Sequence, residues 1–282
     1  MKSFEYSTPS SIKEACALLL ELGDKGKVLA GGTDLLVQMK QKTVDANHIV
    51  SLKQIGSLNY TKDDNGWIRI GAMTPLQDIV DSKLIREKIG VVAEAASQIG
   101  SVQVRTRGTI GGNVCNASPA ADTIPPLICL DAILTILGPS GERKTKIESF
   151  FRGPGKVDLQ YGELVTEIGV RVPEQNTKSV YLKLGRRKAV EIAIVGVGAT
   201  GVVRNGRCES IRVALGSVAP TPIRAKKAEE VLKDGPLGSE RILSASDEAG
   251  SECRPISDVR GSASYRRKMV KALVGRALQS IK

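Results

Sequence analysis

Apolar positions in the first third of the chain alternate between helical and strand spacing, and each switch marks an element. Ser11 and Glu14 form a capping-box pair, and Ile12, Ala15, Cys16, Leu18, Leu19 and Leu22 fall on one helical face that ends at Gly23. A short strand precedes this helix. Val28-Leu29-Ala30 predicts a buried strand running into Gly31-Gly32-Thr33-Asp34. Leu35 to Lys40 opens another ordered segment, and Ile49 to Leu52 predicts a further strand. Asn65-Gly66 before the alternating Trp67-Ile68-Arg69-Ile70-Gly71 predicts a hairpin strand, and Thr74-Pro75 predicts a helix capped by Thr74 with proline at its first position. Leu84, Ile85, Ile89, Val92, Ala93, Ala96 and Ile99 share a helical face. A long glycine-rich loop, a strand over Ala132 to Leu137 and a Gly138-Pro139-Ser140-Gly141 turn follow.

The pattern changes after the polar, proline-bearing stretch Val172 to Thr177, which marks a domain boundary. Ala193 to Val203 and Glu209 to Val218 flank an Asn205-Gly206 turn and predict a long antiparallel hairpin, with helices near residues 224–233 and 262–281. The second domain therefore reads as a meander with helices on one side. The whole is an α+β chain of about two domains, 1–176 and 177–282, the first divided into subdomains of about 1–56 and 57–176.

Composition narrows the function. The formal charge is +11, but the basic residues are scattered, and one Trp, five Tyr and three Phe offer little stacking surface for a nucleic acid. An anionic cofactor or an acidic partner explains the charge as well. The five cysteines (Cys16, Cys115, Cys129, Cys208 and Cys253) form no CxxC pair, and His48 is the only histidine, which argues against a zinc or iron-sulfur site here and for inert thiols in a reducing cytoplasm. The amino-terminal MKSFEYSTPSS lacks an apolar core, and the most apolar stretch, Ile124 to Leu137, is broken by Asp131 and two prolines. Neither export by such a leader nor a membrane span is expected.

The residues that suggest chemistry are two glycine pairs, Ala30-Gly31-Gly32-Thr33-Asp34 and Thr109-Ile110-Gly111-Gly112-Asn113. Residues without a Cβ let the backbone approach a bulky anion, and successive N–H groups form a concave nest for phosphate oxygens. Two such loops favour a diphosphate ligand. A Gly-x-Gly-x-x-Gly run occurs at Gly196, Gly198 and Gly201, but it lies in a hairpin strand with no helix opening after it, and no P-loop lysine motif is present.

Three longer stretches make the likeness specific: Leu29 to Leu36, Ile70 to Leu76, and Arg107-Gly108-Thr109-Ile110-Gly111-Gly112-Asn113-Val114-Cys115-Asn116-Ala117-Ser118-Pro119-Ala120-Ala121-Asp122. They resemble the FAD-binding medium subunit of the xanthine dehydrogenase and carbon monoxide dehydrogenase family of molybdenum hydroxylases. Val190-Glu191-Ile192-Ala193, Arg212 to Pro222 and Ser257 to Arg267 extend the resemblance through the C-terminal flavoprotein domain. It spans nearly the whole chain.

The resemblance implies a PCMH-type FAD-binding domain of two subdomains followed by an antiparallel-sheet-plus-helices domain. It implies non-covalent FAD, in keeping with the single histidine. Val28, Leu29, Ala30, Gly31, Gly32, Thr33, Asp34 and Leu35, with Thr109, Ile110, Gly111, Gly112 and Asn113, would cradle the pyrophosphate. Asp122 would accept hydrogen bonds from the adenosine half, Ile99 or Gly100 would lie against the cofactor, Leu164 or Val165 near the adenine, and Lys183 near the isoalloxazine. Asp122 could equally cap the apolar segment that follows it, and Lys183 could be a solvated side chain. The resemblance places the [2Fe-2S] clusters and molybdopterin on a small and a large partner subunit, in a dimer of heterotrimers, with NAD as an electron acceptor. A free-standing flavin-dependent oxidoreductase is the alternative, and it would need an acid or base over the flavin.

Overall fold

The computed structural model describes residues 2–187 and 189–282. Its first unit is β1 (Glu5–Ser7), α1 (Ile12–Leu22), β2 (Gly26–Leu29), α2 (Leu35–Lys40) and β3 (His48–Ser51). The strands form a parallel sheet in the order β1-β3-β2. Ser11 caps α1 by accepting from the Glu14 amide at 3.2 Å, while the Glu14 carboxylate takes the amide and hydroxyl of Ser10 at 2.8 and 3.0 Å. Gly23 ends the helix at φ 52°, a left-handed conformation that favours glycine. His48 bridges back to β1, its ring 2.7 Å from the Ser7 hydroxyl and 3.0 Å from the Glu5 carboxylate.

A second unit holds β4 (Thr61–Asp64), β5 (Trp67–Gly71), α3 (Leu76–Asp81), α4 (Lys83–Ser97), α5 (Val102–Arg105), α6 (Ile110–Cys115), α7 (Ile124–Cys129), β6 (Ile133–Gly138), β7 (Gly141–Lys146), the short pair β8 (Phe151–Gly153) and β9 (Lys156–Val157), and β10 (Leu164–Arg171). Its sheet runs β4-β5-β10-β6-β7, every pair antiparallel. Ile68, Ile70, Leu134, Ile136 and Ile168 bury one face beneath α3, α4 and α7. Two expectations change here. Pro75, not Thr74, is the cap residue of α3; the Thr74 hydroxyl instead exchanges hydrogen bonds with the Tyr60 backbone. The stretch expected to be one long loop contains three short helices, α5 to α7: Ser101 and Thr109 supply capping oxygens for α5 and α6, and α7 starts with prolines in its first turn.

The third unit is the meander β11 (Lys178–Leu184), β12 (Val195–Arg204), β13 (Arg207–Gly216) and β14 (Ile223–Arg224), followed by α8 (Lys226–Leu232), α9 (Ser239–Glu252) and α10 (Ala263–Ile281). Asn205 and Gly206, at φ 50° and 73°, make the β12–β13 turn as the Asn-Gly signal predicts. The glycine run 196–201 lies in β12. A Cβ on Gly198 would sit 2.9 Å from the Pro125 carbonyl carbon and 3.0 Å from the Pro126 nitrogen, so this glycine lets α7 pack directly on the sheet. All six residues of α7 are buried. No helix among the described residues is long and apolar enough to cross a membrane.

Candidate functional site

The strand β2 ends in a loop whose amides are free. Among the described residues, the N–H groups of Gly31, Gly32, Thr33 and Asp34 donate to no protein acceptor, while Gly32 adopts φ 77°. Consecutive unpaired amides beside a left-handed residue make a concave, electropositive surface suited to an anion. Val28, expected to be buried, is 38% exposed on this same rim.

Gly31 is glycine for a different reason from the one its sequence suggests. A Cβ there would lie 1.9 Å from the Arg107 carbonyl oxygen. Its smallness therefore seats one loop on the other, and ligand approach is a consequence. The second pair behaves likewise: a Cβ on Gly111 would meet the Ala72 carbonyl oxygen at 2.6 Å. The backbone donors of this segment are also spent. Ile110 donates to the Thr74 carbonyl at 3.1 Å, Gly111 to that of Ala72 at 2.9 Å, Gly112 to the Thr109 hydroxyl at 3.0 Å and Asn113 to the Thr109 carbonyl at 2.9 Å. The second glycine pair thus forms no amide nest. What it offers the cavity is the side chain of Asn113, whose oxygen accepts from the Thr123 hydroxyl at 2.6 Å and leaves the NH2 group available.

Both loops border one cavity of about 560 Å³, within the size range of small-molecule and cofactor sites, ~300–1,000 Å³. Val28, Ala30 to Leu35, Ile99, Gly100, Thr109, Gly111 to Asn113, Asp122, Leu164 and Val165 line it. Three of the expected residues do not. Ile110 is wholly buried in the core, Leu29 packs in a small cluster with Met39 and Ile49, and Lys183 reaches the cavity only through Asp122.

Asp122 and Lys183 form a buried pair, neither a helix cap nor a solvated lysine. Thr123 holds the cap position of α7. The Lys183 ammonium donates to Asp122 Oδ2 at 2.8 Å and to the Gln98 carbonyl at 2.9 Å, and the Tyr181 hydroxyl donates to Asp122 Oδ1 at 2.7 Å. Burial pushes the Asp122 carboxyl above its usual value, with Lys183 and Tyr181 pulling the other way. Desolvation likewise raises Asp34, and burial pushes the Cys115 thiol up to about 12.

Further wall residues escaped the sequence reading: Met73, Val104, Ser118, Ala120, Glu163 and the rim Val190-Glu191-Ile192. Glu163 is held below the usual carboxylate range by a two-pronged hydrogen bond from Arg143, both prongs 2.7 Å. Val190 occupies φ 52°, a strained conformation for a β-branched residue, on a rim supplied by the third unit. Val190 to Ile192 fall inside a stretch that carries the family resemblance, so a signal existed without a role attached.

The donor set fits a flavin dinucleotide. Free amides and side-chain NH2 groups suit its anionic pyrophosphate, and Leu35, Leu52, Leu76, Ile99, Val104 and Leu164 supply apolar wall for its rings. No three His, Cys, Asp or Glu side chains converge as metal ligands among the described residues.

Comparison with known proteins agrees with this geometry. Residues 2–175 match the family described as the FAD binding domain in molybdopterin dehydrogenase, and residues 180–281 match the CO dehydrogenase flavoprotein C-terminal domain. The carbon monoxide dehydrogenase medium chain of Hydrogenophaga pseudoflava is 35% identical over 277 residues, covering 98% of this chain and 96% of that one. The glyceraldehyde dehydrogenase medium chain of Sulfolobus acidocaldarius is 34% identical over 278 residues, covering 99% and 98%. The solved carbon monoxide dehydrogenase of H. pseudoflava lacking the Mo-pyranopterin moiety matches with a TM-score of 0.97 at 35% identity, over 99% of this chain and 96% of that one. The chain belongs to the FAD-binding medium subunits of the molybdenum hydroxylases, a family of oxidoreductases, and its cofactor is FAD.

Proposed function

We propose that the chain couples one-electron carriers to a two-electron acceptor, receiving electrons from the [2Fe-2S] clusters of a small partner subunit and passing them to an external acceptor such as NAD. Bound FAD supplies the two-electron redox chemistry. The amides of Gly31 to Asp34 and the side chain of Asn113 hold the pyrophosphate, the apolar wall excludes water, and Asp122 accepts from a cofactor hydroxyl. Organic substrate is oxidised on a large molybdopterin subunit, in a cytoplasmic dimer of heterotrimers. Two modules meeting near residues 176 and 177 build this chain.

The observation that carries the reading is the row of four unpaired amides on the wall of a cavity of cofactor size. A role that does not depend on the organic substrate fits the relatives as well. Nearly equal identities, 35% and 34%, join this chain to medium chains whose enzymes are named for carbon monoxide and for glyceraldehyde.

The test uses the purified complex with NADH as electron source and the iron-sulfur signal in electron paramagnetic resonance as readout. The intact complex should reduce its clusters, and the complex stripped of FAD should not until FAD is restored. Cluster reduction at equal rates with and without FAD would refute the role. An intact complex that is inert to NADH yet reduced by an artificial donor would remove NAD as the acceptor.

A further inference from the structure

The glycine run of β12 and the buried tyrosine of β11 remain unexplained by electron transfer, and they meet at one point. Tyr181 is 1% exposed and belongs to the same buried cluster as Ile70 and Ile110, although its strand is part of the C-terminal sheet. In β12 its register partner is Gly198, and the ring reaches two positions along that strand to Gly196, where a Cβ would fall 2.8 Å from the Tyr181 hydroxyl oxygen. A glycine here keeps room for a hydroxyl inside the protein. That hydroxyl donates to Asp122 Oδ1 at 2.7 Å, and the Lys183 ammonium holds Oδ2 at 2.8 Å.

We propose that Tyr181 is a positioning residue of the cofactor site: with Lys183 it fixes both oxygens of Asp122, so that the carboxylate's remaining lone pairs face the cavity as hydrogen-bond acceptors. Side chains two apart on one strand point to the same face, so Tyr181 and Lys183 approach Asp122 together. A carboxylate has about four lone-pair sites, and two bonds leave acceptor capacity for a ligand hydroxyl. The C-terminal strand is thereby part of the cofactor site, acting through Asp122. This rests on the reading that Asp122 contacts the cofactor.

The titratable groups around the carboxylate are few. Lys183 and Tyr181 come from β11, and Glu94 from α4 faces Tyr181, itself raised by burial. Removing the Tyr181 hydroxyl deletes one bond that favours ionised Asp122, so the variant carboxyl protonates at higher pH.

The experiment measures FAD affinity of the chain, stripped of its cofactor, as a function of pH. Tyr181→Phe keeps the ring and its packing, and Gly196→Ala keeps the tyrosine but displaces its hydroxyl. Both should weaken FAD binding at pH 7 by roughly tenfold and move the acid-side loss of affinity upward by about one pH unit. Asp122→Asn should lower affinity and abolish the acid-side step, while Glu94→Gln should retain it. A uniform loss of affinity with an unmoved step in Tyr181→Phe would reduce the tyrosine to packing and overturn the inference. If Asp122→Asn binds FAD as the parent does, the contact between Asp122 and the cofactor fails first, and the inference falls with it.

Discussion

Replacing Gly31 by alanine probes how the cavity is held together. The added Cβ would lie 1.9 Å from the Arg107 carbonyl oxygen, 2.6 Å from its carbon and 2.8 Å from the Gly108 Cα. All three are backbone atoms, so no side-chain rotation relieves the overlap. A carbon–oxygen contact settles near 3.3–3.6 Å, and the loops must part by roughly 1.5 Å to accept it. Overpacking a fitted interior costs ~1–3 kcal/mol, and a purely backbone clash falls at the upper end. About 3 kcal/mol lowers the melting temperature of a chain this size by roughly 6–12 °C. The same displacement disturbs the amides of Gly31 to Asp34, so FAD affinity should fall on the order of tenfold or more. Differential scanning fluorimetry of the FAD-free chain and a flavin fluorescence titration read the two effects. Gly56→Ala is the control, since its Cβ meets nothing within 4 Å. If Gly31→Ala melts with the parent and binds FAD equally well, the close seating of one loop on the other is wrong. Valine at position 31 or 111 is a poor probe of pyrophosphate contact for the same reason, because it would break the wall before it touched the ligand.

Val28→Glu adds a negative charge at the exposed rim beside the free amides; FAD affinity should drop at least tenfold with the melting temperature of the FAD-free chain unchanged, and a titration that matches the parent contradicts the placement of the pyrophosphate. Burial alone would raise Asp258, but the Arg260 amide and the Arg266 and Arg260 guanidinium groups outweigh it and hold the carboxyl at about 2 against its ordinary 3.8. Because the folded value is the lower one, this stabilisation is complete above the unfolded value and is lost as pH falls toward 2. Asp258→Asn should therefore cost about 1–2 kcal/mol at pH 7, with the deficit shrinking below pH 4 in urea titrations; a deficit independent of pH would assign the loss to packing. All five cysteines are free, four are buried, and burial holds both Cys115 and Cys253 up at about 12. Thiol titration with a disulfide reagent at pH 8 should find little reaction in the folded chain and five equivalents after denaturation.

Where the chain advertises its structure locally, it could be read. The Asn205-Gly206 turn and the Ser11 cap each act within a few residues, and each is where its signal puts it, whereas the apolar stripe expected through Ile99 is kinked at Ile89 and its helix ends at Ser97. The errors arise where a distant partner decides. Thr74 spends its hydroxyl on Tyr60, fourteen positions away in sequence. The helix α9 carries a weak apolar signal because its buried face, Ile242 apart, is made of Ala245, Ser246, Ala249 and Gly250, small residues that admit α10 closely; a Cβ on Gly250 would touch Lys271 Cε at 2.8 Å. The glycine pairs are visible in the sequence, yet only the fold shows that the first presents free amides while those of Ile110 to Asn113 are spent. Lys183 and Asp122 stand far apart in the sequence, and their pairing depends on a contact across 61 positions that no local pattern encodes.

The wedge of α7 between the second and third units also bears on how such chains can recombine. Pro125 and Pro126 rest on the bare backbone of Gly198, and Gly216 admits the Pro125 ring at 3.2 Å from where its own Cβ would be. The proline pair and the two glycines are therefore a matched lock contributed by the second and third units. A chimaera that joins the amino-terminal part of this chain to the carboxyl-terminal part of a relative inherits a working seam only if the glycines travel with the prolines. Family members that differ at these positions should yield hybrids that express as aggregates, whatever their overall identity, whereas a single glycine restored at the position of Gly198 should recover soluble protein. Compatibility at this join should then follow these four residues more closely than the extent of sequence shared elsewhere.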